Sequence, residues 1–267
     1  MGKNLISHSR SSFILFGRNL FAYFLGLSLG YSPAFADEVT VAVASNFITP
    51  MQKLVADFEQ KSEHSITLVS GSSGRFYAQI SHGAPFDLLL SADSDKPARL
   101  INDGLAQPSN LFTYAYGRLV LWTSETGQVV NEKTLSNAEF THLAIANSKL
   151  APYGKAAKEV LTQLGLAKAT RSRWVVGENI SQTYQFVVSQ NARYGFIAAS
   201  QWQGQGSGWL IPEALHQPIQ QDAIVLNRAK DKQAVFELVE YLQSPAAAVI
   251  IQGYGYQVSP VSSIQTR

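Results

Sequence analysis

The 267-residue chain contains no cysteine, so no disulfide can staple it and its stability must come from a hydrophobic core. An anchor built on a lipid-modified cysteine is excluded for the same reason. Charge is sparse as well: 15% of residues are charged against 46% hydrophobic, the balance of a globular protein. After residue 36 no apolar run is long enough to span a membrane. A basic surface is also missing. The first 36 residues hold three basic and no acidic side chains, which leaves 18 basic against 19 acidic in the rest, a net of −1. The sequence pI of about 8.7 therefore belongs partly to this leader, and no nucleic-acid surface is expected. His64, His82, His142 and His216 are scattered without ligand spacing.

The leader has a recognisable form. Lys3, Arg10 and Arg18 precede an apolar run from Leu20 to Leu29, and Ala34-Phe35-Ala36 comes next. A basic segment, a short apolar segment and an A-x-A site make a cleaved secretory signal peptide over residues 1–36. The run is too short to cross a bilayer comfortably, which argues against a permanent anchor. The expected compartment is the periplasm.

Residues 39–46 organise the rest of the chain. Val39, Val41 and Val43 alternate with Thr40, Ala42 and Ala44, a buried and parallel strand in prospect. It stops at Ser45-Asn46, and an amphipathic helix opens at Ile48, with Met51, Leu54, Val55 and Phe58 as its stripe. A second strand, Ser65–Ser70, ends in the turn Gly71-Ser72-Ser73-Gly74 before a helix over 75–81. Asp87–Leu90 is a third short strand, succeeded by a helix over 95–103. Successive βα units imply an open α/β sheet whose ligands bind beyond the carboxyl ends of the strands. Polar turns at helix N-termini suit an oxyanion.

From Phe112 the texture becomes β-rich, through Leu119–Thr123, then a buried strand at Leu143–Asn147 and a helix over 155–164. Strands at 174–176 and 194–198 flank a helix over 181–191, and Ala223–Leu226 returns to the first half. The expected fold is α/β and two-lobed, with open mixed sheets flanked by helices and a ligand cleft between lobes joined by two hinge strands. Lobe 1 is discontinuous, 37–115 and 223–267, and lobe 2 is 116–222. Two such lobes can close on a ligand that neither could surround alone.

Several fragments, weak singly, are specific in their order. They are Val43-Ala44-Ser45-Asn46-Phe47, Ser72-Ser73-Gly74 and His82-Gly83-Ala84-Pro85-Phe86-Asp87 with Ser91-Ala92-Asp93. Farther on come Leu150-Ala151-Pro152-Tyr153-Gly154, Gly177-Glu178-Asn179-Ile180, Tyr194-Gly195-Phe196 and Ser244-Pro245-Ala246-Ala247. With these the chain resembles the molybdate-binding proteins that feed ABC importers, over nearly all of its length after the leader. The resemblance implies a periplasmic monomer that binds molybdate or tungstate, hands it to a membrane permease, and carries neither cofactor nor catalytic group. It places the ligand on Ser45, Asn46, Ser73, Tyr153 and Ile180, through the oxyanion and without direct coordination of the metal. Ser45 and Ser73 supply hydroxyl and N–H donors, Asn46 an extra donor, and Tyr153 and Ile180 backbone N–H groups. Some relatives carry a tyrosine where Ala198 stands here, so the Tyr153 phenol is expected to take over that hydrogen bond.

Other readings stay open at this level. Sulfate or phosphate could occupy the same kind of cleft, although phosphate retains a proton that calls for an acceptor. Ferric iron would want tyrosine pairs and carboxylates, which the turns lack. A secreted hydrolase would want Gly-x-Ser-x-Gly on an elbow, and Ser72-Ser73 has no such frame. Arg75 is expected to point outward, Gly204–Gly208 to be a surface turn, and Asp87 or Asp93 to cap the next helix.

Overall fold

The computed structural model describes residues 38–137 and 140–258, so the expected signal peptide lies outside the described residues. In chain order the elements are β1 (Glu38–Ala44), α1 (Ile48–Glu59), β2 (Ser65–Gly71), α2 (Ser73–Ser81), β3 (Leu88–Leu90), α3 (Asp95–Asn102), β4 (Ala106–Gly117), β5 (Leu119–Thr123), α4 (Glu132–Asn137) and β6 (Leu143–Ala146). Next come α5 (Pro152–Gln163), α6 (Ala167–Thr170), β7 (Trp174–Gly177), α7 (Ile180–Val188), β8 (Tyr194–Ala198), α8 (Ala199–Trp202), β9 (Ser207–Leu210), β10 (Ile219–Leu226), α9 (Gln233–Leu242) and α10 (Pro245–Gly253).

They build two five-stranded sheets. The first has the order β2-β1-β3-β10-β4 and the second β7-β6-β8-β5-β9. In the first, β1 runs parallel to β2 and β3, and β10 is antiparallel to β3 and β4. The second repeats the scheme, with β6 parallel to β7 and β8 and β5 antiparallel to β8 and β9. Thus β1 corresponds to β6, and β2 to β7. Both sheets are mixed and flanked by helices, the architecture expected from the sequence. The chain passes from the first sheet to the second between β4 and β5, at Arg118, and β10 brings it back.

Strand burial explains the small and β-branched residues. Val39, Val41 and Val43 face a core that holds Met51, Leu54 and Phe58 of α1 and Leu238 of α9. Ala42 faces the other side, with Phe76, Ile80 and Leu100 of α2 and α3. A strand covered on both faces needs apolar residues at successive positions. The second sheet does the same: Leu119 and Leu121 turn to one core, Val120 and Trp122 to the other. Among the described residues no single helix is long and apolar enough to cross a membrane. Helices α9 and α10 are apolar together, but they bend by 62° and bury Leu238, Leu242 and Ile251 in the core.

Three local expectations are corrected. Helix α5 begins at Pro152 instead of residue 155, because proline lacks the N–H that a first turn leaves unused. Helix α2 begins at Ser73, two residues early, and takes Gly74 into its first turn. Asp87 caps no helix. Its buried carboxylate accepts from the Thr40 N–H at 2.9 Å and Lys232 Nζ at 2.8 Å, with Arg228 Nε 3.6 Å away. Asp93 takes the capping role, accepting from the Lys96 N–H at 3.0 Å.

Asp87 thereby ties β1, β3 and the segment after β10 at the end of the sheet opposite the serine turns. Its replacement leaves the Thr40 N–H and two cations without their shared acceptor. Asp87→Ala should cost about 3 kcal/mol, the low end for a broken buried pair because Lys232 keeps some solvent contact. Urea denaturation of the ligand-free protein measures it; a loss below about 1 kcal/mol would remove the carboxylate from the framework of the sheet.

Candidate functional site

Four turns carry the candidate residues, and each comes after a corresponding strand. Ser45 and Asn46 leave β1, and Ser73 opens α2 after β2. Tyr153 is the second residue of α5 after β6, and Ile180 opens α7 after β7. All five are buried, none more than 4% exposed. The two halves of the sequence thus contribute the same two positions each, at the carboxyl ends of neighbouring parallel strands, where open α/β sheets bind ligands.

The halves touch. Ser181 Oγ donates to the Ser45 carbonyl at 3.0 Å, and Ser200 Oγ donates to the Asn46 carbonyl at 2.9 Å. The Gly74 N–H donates to the Leu150 carbonyl at 2.9 Å. Ala44 and Ala92 of the first half pack in the second half's apolar core with Ala151, Tyr153 and Ile180. At the rim Arg75 Nη1 meets Glu178 Oε1 at 2.7 Å, both side chains about half exposed, so Arg75 does point outward.

The first N–H groups of a helix have no carbonyl within their own helix to bond. In α2 the Gly74 amide is taken by Leu150, and in α7 the Gln182 and Thr183 amides are taken by Asn179. Among the described residues the first-turn amides of Ser73, Arg75, Tyr153, Ile180 and Ser181 have no protein acceptor. Ser73 Oγ accepts from the Ala92 N–H at 2.9 Å, which fixes the hydroxyl and leaves its proton to donate. None of the side chains that make these contacts, apart from the rim pair, is charged. The site is a set of neutral dipoles with their positive ends inward. No group of three or more His, Asp or Glu side chains that could hold a metal ion directly occurs among the described residues.

Behind the turns lies a buried polar network that the sequence does not announce. Asn46 Nδ2 donates to Gln221 Oε1 and to the Tyr256 hydroxyl, each at 2.9 Å. Gln221 Nε2 donates to the Tyr153 hydroxyl at 3.1 Å, and the Tyr256 hydroxyl donates toward the Asn46 carbonyl at 2.8 Å. The Tyr114 hydroxyl lies 2.9 Å from both Gln221 Oε1 and the Ser91 carbonyl. Burial raises the Tyr114 and Tyr153 phenols well above the ordinary tyrosine value and pushes Tyr256 up to about 12. All three stay neutral, so no phenolate brings a negative charge to these turns. Both Asn46 amide hydrogens are spent within this network, whereas the Tyr153 oxygen accepts from Gln221 and keeps its own proton to donate. The hydroxyl missing at Ala198 has a counterpart two residues on, where Ser200 reaches Asn46. The signal for Gln221 is a polar run, Gln220-Gln221-Asp222, inside an otherwise apolar strand.

A family model for bacterial extracellular solute-binding proteins matches residues 39–257, the whole span from β1 to beyond α10. The chain belongs to that family. It is 44% identical over 238 residues to the molybdate-binding protein ModA of Azotobacter vinelandii, covering 87% of this chain and 94% of the relative. ModA of Rhodobacter capsulatus is 41% identical over 242 residues, with 90% and 95% covered. Among solved structures, the periplasmic molybdate-binding protein of Azotobacter vinelandii superposes with a TM-score of 0.80 at 35% identity, covering 83% of this chain and all of that one. The two-lobed fold of periplasmic binding proteins is therefore the fold of this member of the family as well.

The contact of Gly74 with Leu150 can be probed directly. A Cβ on Gly74 would stand 3.0 Å from both Cα and the carbonyl oxygen of Leu150, backbone atoms that cannot swing aside. Gly74→Ala should hold the lobes apart, enlarge the radius of gyration seen by small-angle scattering, and weaken ligand binding by about tenfold or more through the lost closed population. An unchanged radius and affinity would show that the lobes do not need this contact.

Proposed function

We propose that the chain binds molybdate in the cleft between the two sheets and delivers it to the permease of an ABC importer. It works in the periplasm as a monomer, with Ser45, Asn46, Ser73, Tyr153 and Ile180 as the residues that hold the anion. The observation that supports this reading is that helix-opening turns from both sheets, buried and joined by uncharged contacts, carry the five residues. Relatives named as molybdate-binding proteins over nearly the whole length support it.

The chemistry comes from the donors. A tetrahedral dianion offers acceptors in every direction and no hydrogen. Backbone N–H groups and hydroxyls offer hydrogens, and each hydrogen bond to the ion is charge-assisted. A protonated anion would set an O–H against an N–H and lose that match. Selection for molybdate and tungstate over sulfate then rests on size, because the donors are fixed by two sheets and by contacts such as Gly74 to Leu150. Closure of the hinge at β4–β5 and β10 completes the shell, since each lobe supplies only half of the donors. The lobes themselves are read as 37–115 with 223–267, and 116–222, and residues 1–36 as the export signal. Binding and release need no bond to be made or broken, so the protein is not an enzyme.

Molybdate and tungstate should raise the melting temperature of the protein by mass action on the native state, and sulfate should barely do so. Equal stabilisation by sulfate would overturn selection by size. Ser73→Ala removes a hydroxyl held in place by the Ala92 amide. It should weaken molybdate binding by roughly ten- to a hundred-fold in calorimetric titration. Unchanged affinity would take the hydroxyl out of the site.

A further inference from the structure

Gln221 is fully buried on β10, one of the two strands that join the lobes. The pairing of β10 with β4 shifts register between Gln221 and Asp222, an irregularity of the kind that re-aims a side chain. Gln220 and Asp222 turn toward Thr113, with Gln220 Nε2 3.1 Å from both Thr113 Oγ1 and Asp222 Oδ1. Gln221 turns the other way, to the cleft side.

Its oxygen accepts from Asn46 and lies 2.9 Å from the Tyr114 hydroxyl, and its nitrogen donates to Tyr153. The Asn46 amide nitrogen can only donate, so the atom of Gln221 that meets it must be the oxygen. That turns Nε2 toward Tyr153, whose oxygen accepts. Asn46 belongs to the turn after β1 in the first lobe. Tyr153 belongs to the first turn of α5 in the second. One side chain on the hinge strand therefore grips a binding turn of each lobe. The fit is tight, since a Cβ on Gly117, at the other hinge strand, would run into both the Tyr153 hydroxyl and Gln221 Nε2.

We propose that Gln221 is the positioning residue that couples the two half-sites, setting the Asn46 turn of one lobe and the Tyr153 turn of the other in a single register for the anion. This rests on the reading of the cleft as an anion site. Gln221 does not touch the ligand. It acts by holding two turns whose backbone amides do, and because it sits on the hinge strand the two turns are fixed relative to each other only in the closed arrangement.

The test uses the full-length chain after leader removal and molybdate as the probe. Gln221→Leu should weaken molybdate binding by about tenfold or more, measured well below its melting temperature. Adding Tyr153→Phe to Gln221→Leu should cost less than about twofold further, because the link is already broken, whereas adding Ser73→Ala should multiply. Hydrogen exchange of the ligand-free protein gives a second readout. Gln221→Leu should speed exchange at the Asn46 and Tyr153 turns and leave the Ser73 turn unchanged. Gly117→Ala, which displaces the contact without altering either partner, should reproduce the pattern. A lowered melting temperature with unchanged affinity would make Gln221 a packing residue only and overturn the proposal. So would effects of Gln221→Leu and Tyr153→Phe that multiply, or exchange that rises equally in all turns. A chain that binds no molybdate in its unaltered form would sink the functional reading instead, and the exchange pattern would then decide the coupling by itself.

Discussion

Amides at the start of a helix lack an acceptor of their own, and this structure depends on where four sets of them point. Strands β1 and β2 in one sheet, β6 and β7 in the other, each end in a turn that opens a helix. The sheets repeat one topology, so the four turns arise as two matched pairs, one pair at corresponding strand ends of each sheet. Everything else serves that placement. The apolar strands are covered on both faces so that they cannot shift, and the Asp87 cluster clamps the far end of the first sheet.

On the proposed reading of the site, the absence of charge around it serves selection. A lysine or arginine would bind any anion, with little regard for its size or protonation. Fixed dipoles bind according to geometry, and geometry is what two rigid sheets provide. The polar network behind the turns obeys the same restriction. Its three tyrosines are kept protonated by burial, and its two amides are linked by donation from Asn46 to Gln221, which donates in turn to Tyr153. A half-satisfied network of this kind would be costly, so its members are interdependent.

Much of this is legible in the sequence. The valine-alanine alternation in 39–44 marks a doubly covered strand, and Ser45-Asn46 and Ser72-Ser73 mark where the strands hand over to helices. The features that stay hidden involve residues far apart in the chain. Gln221 meets Asn46 across 175 positions, and Tyr256 meets it across 210, so no local pattern could join them. The start of α5 escapes a local reading because Pro152 and Gly154 look like breakers, while the fold uses proline as the first residue of the helix. Tyr153 shows the limit most clearly. Its position is readable, but the use of its phenol depends on Gln221 and Gly117, which only the folded chain brings beside it.

The central claim is that neutral first-turn amides from both lobes enclose one dianion. A crystal structure of the molybdate complex, with the metal located by its anomalous scattering, tests it most directly. The expected result is one peak between the turns of Ser45–Asn46, Ser73, Tyr153 and Ile180, every oxygen meeting an N–H or a hydroxyl, and the Tyr153 phenol still on Gln221. A peak held by lysine or arginine side chains, or bound to one lobe alone, would contradict it.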